Sequence, residues 1–171
     1  MCPLRSQSSL KESAEQFFAK NMTELTIFCP KTIEKETYLI LHEIENQTFR
    51  PELRYSDTDL AERFSLTDSI LLIFFDDRRP ISFLLVYPTK TSKENTLFLD
   101  TIAVATPGQG LGKKITSTLT EWAKKVGFNR IRLYTEKENE KGQKLVDFYA
   151  RIGFEVLVVE TDGNIVMEKR I

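Results

Sequence analysis

LFLDTIAVATPGQGLGKKITSTLTEWAKKVG, residues 97–127, contains the change of period that decides the fold. Leu97 to Val104 is an apolar run of strand length, rich in β-branched and aromatic residues. Gly108, Gly110 and Gly112 follow, and then Leu111, Ile115, Leu119, Trp122, Ala123 and Val126 recur at helical spacing until Gly127 stops them. A strand therefore passes through a glycine turn into an amphipathic helix, and the rest of the chain must build around that unit.

Downstream, Ile131 to Tyr134 reads as a further strand, and Leu145, Phe148, Tyr149 and Ile152 mark one face of a helix ended by Gly153. Phe154 to Glu160 and Asn164 to Glu168 flank Asp162-Gly163, a strong hairpin signal. Upstream, Ser69 to Phe75 and Ile81 to Tyr87 are β-rich runs separated by the turn residues Asp76 to Pro80, and a polar, Lys-rich turn leads on to Leu97. Ser56 and Asp59 have cap spacing ahead of Leu60 and Phe64, which predicts a short helix. Ile33, Thr37, Ile40, Leu41 and Ile44 form the face of another, interrupted at Phe49-Arg50-Pro51. Leu25 to Cys29 reads as a short strand. Ser9 and Glu12 show capping-box spacing before the apolar positions Ala14, Phe17 and Phe18, so a helix beginning at Ser9 is expected.

This order of elements predicts an α/β (α+β) protein with one mixed β-sheet flanked by helices, its parallel part lying around residues 97 to 126. The expected division is an N-terminal helical extension over 1–22 and one domain over 23–171. With 41% hydrophobic residues and twelve Phe, the 171-residue chain can build one sizeable core. The formal net charge of −1 provides no general field for nucleic acid or an anionic membrane, so neither partner is expected. Cys2 and Cys29 cannot form a metal cluster and belong to no C-x-x-C unit, so no metal is expected. No apolar run is long enough for a signal peptide or a membrane span, and a cytoplasmic location is the default expectation.

Gly108-Gln109-Gly110-Leu111-Gly112-Lys113-Lys114 would turn several unpaired N–H groups and the positive end of a helix outward together, an arrangement suited to a pyrophosphate. A Walker loop is excluded because Pro107 stands where its first Gly is required and Lys114 replaces the magnesium-binding Ser or Thr. A dinucleotide fingerprint is excluded because Lys113 or Ile115 occupies the place of its third Gly. Taken alone, the turn also fits a tight strand-to-helix connection with no ligand.

Three segments together resemble the GNAT N-acetyltransferase superfamily: Leu97 to Val104, Gly110 to Ile115, and Leu145 to Phe154 with its Phe148-Tyr149-x-x-x-Gly153-Phe154 pattern. The resemblance spans about residues 25 to 170. It implies a GNAT-like acyl-CoA N-acyltransferase fold, acetyl-CoA as co-substrate, and a primary amine on a small molecule or protein as acceptor, in a monomer or homodimer. Two departures are visible. Pro107 stands where the family has Gln or Arg, in a link from Val104 to Gly110 that is about two residues shorter than usual. Gly142 stands where many members carry an Asn that touches the cofactor arm.

The resemblance further implies that the main chain of Ile102, Ala103 and Val104 pairs with the pantetheine arm. It also implies that Gly108, Gln109, Gly110, Leu111, Gly112 and Lys113, with Lys114 assisting, hold the pyrophosphate. Tyr149 read alone is a core aromatic; inside the motif it is the proton donor to the departing sulfur, with a phenol pKa of about 10 that suits the task. Asp100 interrupts an apolar strand and is either a proton acceptor for the amine or a solvated strand residue. Glu136 is a second acidic candidate, and Phe49 and Tyr55 lie in the loop expected to contact the acceptor. His42 has no nucleophile or second ligand at a readable spacing and reads as structural. A CoA-binding sensor that has lost turnover, and a transferase of longer acyl groups, are the alternatives.

Overall fold

The computed structural model describes residues 7–89, 95–139 and 141–171, with side chains from Leu10 onward. Cys2 and most of the Lys-rich turn before Leu97 lie outside the described residues. The elements, in chain order, are α1 (Gln7–Asn21), β1 (Thr26–Phe28), α2 (Lys35–Thr48), a 3-10 turn (Pro51–Leu53), α3 (Asp57–Ser65), β2 (Ile70–Asp76), β3 (Arg79–Thr89), β4 (Thr96–Val104), α4 (Leu111–Val126), β5 (Arg130–Thr135), α5 (Leu145–Arg151), β6 (Glu155–Val159) and β7 (Ile165–Arg170). This is the mixed α/β architecture that the periodicities predict.

Local chemistry accounts for most of the boundaries. The α3 cap is a complete capping box: Ser56 accepts from the Asp59 N–H, and the Asp59 carboxylate accepts in return from the Ser56 N–H. At the other end of the chain the expectation needs correction. Because α1 already includes Gln7, Ser9 lies inside the helix and does not cap it. The hairpin strand β3 begins at Arg79, not after Pro80, which shortens the expected turn. Pro80 is tolerated because the register shifts between Phe74 and Phe75 at that point, so its missing N–H falls at an irregularity in the ladder.

Seven strands form one sheet in the order β1-β2-β3-β4-β5-β7-β6. Every pairing is antiparallel except that of β4 with β5. α4 supplies the long crossover that a parallel pair requires. One face of the sheet packs on α1 and α4 through Phe18, Phe74, Leu119 and Trp122, all at most 1% exposed. The indole N–H of Trp122 donates to Ser13 Oγ at 3.2 Å, so even the largest core side chain is polar-satisfied. On the opposite face α2 and α3 cover Leu71, Ile73, Phe83 and Leu85 through Leu41, Ile44 and Leu60.

Among the described residues, no helix is long and apolar enough to cross a membrane.

Candidate active site

The parallel pair is short. β4 and β5 are in register only from Thr96↔Arg130 to Leu99↔Leu133, and beyond that point the two strands no longer pair. In the same place β4 carries a bulge against β3: Leu99 faces Val86 and Thr101 faces Leu85, which leaves Asp100 as the extra residue. Past the bulge, the Ala105 N–H donates to Ile81 O at 2.9 Å and fixes the phase of the antiparallel ladder. Thr101, Ala103 and Ala105 therefore turn their main-chain groups toward β3, and Ile102 and Val104 turn theirs to the edge that β5 has left open.

A cleft of about 570 Å³ fills this gap. One end is the glycine turn. Gly108 and Gly110 adopt φ of +88° and +78°, and a Cβ placed on either would meet nothing within 4 Å, so the backbone is bare toward solvent. Gly110 is the N-cap of α4 and offers no side-chain cap, and the first helical turn holds no acidic residue. The leading N–H groups and the positive end of the helix macrodipole are thus left for an anion.

The middle of the cleft is walled by Ile102, Val104, Phe148 and Tyr149. Tyr149 projects from α5 and packs edge-on against Phe148 (5.1 Å) and Phe154 (5.6 Å). Its hydroxyl has no hydrogen-bond partner among the described residues, and burial pushes the phenol up to about 12. It is consequently a protonated donor with its hydrogen unspent.

The far end is formed by Phe49, Leu53 and Tyr55 from the α2–α3 connection and by Tyr134 and Glu136 from the end of β5. Arg50 Nη2 donates to Glu136 Oε1 at 2.7 Å, bridging the two walls. Asp100 lies beneath, its side chain only 6% exposed. Its Oδ1 accepts from Tyr55 Oη (2.7 Å) and Thr101 Oγ1 (2.8 Å), and its Oδ2 from Tyr87 Oη (2.8 Å) and Arg63 Nε (3.2 Å). Burial, reinforced by the Asp100 charge, pushes the Tyr55 phenol up to about 12 and also raises that of Tyr87.

Of the residues singled out from sequence, Asp100, Ile102, Val104, Gly108, Gly110, Leu111, Gly112, Lys113, Tyr149, Phe49, Tyr55 and Glu136 line this one cleft. Four others stand off its wall. Ala103 is fully buried in the α2–α3 core, and its carbonyl accepts from Ser82 Oγ at 2.6 Å. Lys114 pairs with Glu24, whose carboxyl is held below its ordinary value chiefly by that bond. Gln109 is exposed at the tip of the turn, and Gly142 is exposed in a turn closed by its own N–H to Asn139 O at 3.0 Å.

Sequence reasoning passed over Arg63, in the short helix behind the Ser56 cap, and Tyr87, the last residue of a β-rich run. The signal was present in Asp100 itself: a carboxylate inside an apolar strand requires buried donors. His42 bonds Glu45 and Asp57 and does not line the cleft.

The chain matches the model of the Acetyltransferase (GNAT) family over residues 38–154, well over half its length, and it belongs to that family. Solved structures carry the same fold at low identity. The ribosomal-protein-S18-alanine N-acetyltransferase from Escherichia coli is 19% identical with a TM-score of 0.66, over 86% of this chain and 94% of that one. A GNAT family acetyltransferase from Elizabethkingia anophelis with acetyl-CoA bound is 18% identical with a TM-score of 0.62, over 86% and 99%. Naa50 from Arabidopsis thaliana, in complex with the bisubstrate analogue CoA-Ac-MVNAL, is 16% identical with a TM-score of 0.63, also over 86% and 99%. A search among curated proteins finds no match to the sequence.

Proposed function

We propose that this GNAT acetyltransferase uses acetyl-CoA to acetylate a primary amine by direct attack within the β4–β5 cleft. The observation that carries the reading is the free edge of β4 at Ile102 and Val104, open beside the uncapped start of α4. A pantetheine arm is an extended chain of amides, and it can pair with that edge as an added strand would. The pyrophosphate then falls at the Gly108–Lys113 amides, where bare backbone and the helix macrodipole favour an anion. The acetyl-CoA bound to one structural neighbour and the bisubstrate analogue CoA-Ac-MVNAL in complex with another support the same assignment.

With the thioester so laid out, its carbonyl sits between Tyr149 and the Tyr55–Asp100 end of the cleft. The amine lone pair forms the C–N bond, the C–S bond breaks with the sulfur leaving as thiolate, and the proton shed by nitrogen passes to solvent. Tyr149 donates its free hydroxyl hydrogen to the developing thiolate. A phenol raised to about 12 holds its proton against a thiolate whose acid has a pKa of about 8.5, so Tyr149 stabilises the leaving charge by hydrogen bonding and does not ionise freely. Asp100 supplies fixed negative charge near the nitrogen as it becomes cationic.

A screen of small amines, lysine peptides and peptide N-termini for acetyl-CoA-dependent thiol release tests this reading. Acetylation of at least one amine class is expected. Tight acetyl-CoA binding without thiol release for any of them would favour a CoA-binding sensor instead.

A further inference from the structure

Asp100 is the acidic residue at the acceptor end, yet it is poorly placed to meet an amine. Its carboxylate is 6% exposed, and its two oxygens already receive four hydrogen bonds, which is about the capacity of a carboxylate. Tyr55 lines the same cleft, and its hydroxyl occupies one of those oxygens, Oδ1.

Tyr55 is fixed at three points. Its backbone N–H donates to Glu45 Oε1 at 3.1 Å, and Glu45 is fully buried. Its ring lies under the Arg63 guanidinium at 4.1 Å. Its hydroxyl donates to Asp100 Oδ1 at 2.7 Å. The last bond decides the polarity: with the phenolic hydrogen committed to Asp100 and Thr101 Oγ1 lying 3.3 Å from the oxygen on one side, one lone pair is left for the cleft. A phenol that donates to a carboxylate is also a better acceptor, because the two bonds polarise one another.

We propose that Tyr55 is the group that touches the acceptor, its Oη accepting an N–H of the attacking amine, and that Asp100 is a positioning residue acting through it. The proposal rests on the reading of the cleft as an acetyl-CoA and amine site. Holding one N–H on Tyr55 turns the nitrogen lone pair toward the thioester, and Arg63, Tyr87 and Thr101 lock the carboxylate that sets the hydroxyl. The phenol forms and breaks no covalent bond. A group fixed before the amine arrives loses no freedom when the amine binds.

A double-mutant cycle on thiol release tests this. Tyr55→Phe should raise the KM for the amine or lower kcat/KM for it by about tenfold or more, with acetyl-CoA affinity within about twofold of wild type. Asp100→Asn should do the same, since the Asn amide can donate to Tyr55 and turn its hydroxyl hydrogen into the cleft. Because both act through one contact, the double variant should be no worse than the poorer single one. If Asp100→Asn does not fold, Arg63→Gln takes its place in the cycle with the same expectation. Losses that multiply, with Asp100→Asn still costing about tenfold in the Tyr55→Phe background, would overturn the proposal and put Asp100 in direct contact with the amine. Wild-type protein that acetylates no amine overturns the functional reading, and this proposal with it.

Discussion

Buried Glu45 joins His42 to Tyr55: one carboxylate oxygen accepts the Tyr55 N–H at 3.1 Å, and the other meets His42 Nδ1 at 3.2 Å. A fully buried side chain thus ties the acceptor loop to α2. Glu45→Ala leaves the Tyr55 N–H without its acceptor, a loss of about 1–3 kcal/mol. A melting temperature lower by several degrees is expected, together with a raised KM for the amine and unchanged acetyl-CoA affinity. An unchanged melting temperature would separate Glu45 from the loop.

The same link makes stability depend on pH. His42 Nε2 meets Asp57 Oδ1 at 2.6 Å while Nδ1 meets Glu45, and a ring that donates from both nitrogens must be protonated. Burial opposes that charge, but the bonds to Asp57 and Glu45 prevail and raise the His42 pKa. A value higher in the folded than in the unfolded chain gives stability that is complete below about pH 6.5 and lost as pH rises through the folded value. Glu45, raised chiefly by burial, acts in the same direction. Melting curves between about pH 6 and pH 9 should show wild type losing stability with rising pH, and His42→Gln losing less. Parallel curves would refute the assignment.

The Arg50–Glu136 bridge keeps a carboxylate neutralised at the acceptor end of the cleft. Arg50→Ala should release that charge and shift selectivity toward cationic acceptors, raising their kcat/KM severalfold relative to neutral amines. The ratio measured for paired acceptors of equal size checks this, and an unchanged ratio would place the acceptor away from Glu136.

At the phosphate end, Gly110 combines a left-handed φ of +78° with open space before it. Gly110→Ala and Gly110→Glu both incur the backbone strain, about 1 kcal/mol or somewhat more. Only Glu adds a negative charge at the start of α4. Calorimetry should find acetyl-CoA affinity much weaker in Gly110→Glu than in Gly110→Ala. Equal affinities would move the pyrophosphate elsewhere.

Tyr149→Phe removes a hydroxyl that has no hydrogen-bond partner among the described residues and leaves the ring packing against Phe148 and Phe154 intact. Fold stability and acetyl-CoA affinity should stay near wild type while kcat falls by about tenfold or more. A loss of stability without a loss of rate would make Tyr149 a structural residue.

The order of elements along the chain was legible because its evidence is local. The strand, turn and helix of residues 97–127 differ in period, and the Asp162-Gly163 turn announces its hairpin. The cage around Asp100 was not, because Tyr55, Arg63 and Tyr87 come from a loop, α3 and β3, lying 45, 37 and 13 residues away in the chain. The same distance hid the partner of Lys114. Read alone, it is a cation at a helix start; folded, it pairs with Glu24, 90 residues earlier. The bulge that leaves Asp100 as the extra residue is likewise a property of the pairing of two strands, and no run of β4 residues encodes it by itself.

The central claim is that the cleft between β4 and β5 holds acetyl-CoA, and the melting temperature measured with and without it is the most direct test. A ligand at about 100 times its dissociation constant adds about 2.7 kcal/mol to the folded state. For a chain of this size that corresponds to a rise of roughly 5–10 °C, which the account predicts for wild type and denies to Gly110→Glu. No rise in the wild type at millimolar acetyl-CoA would contradict it.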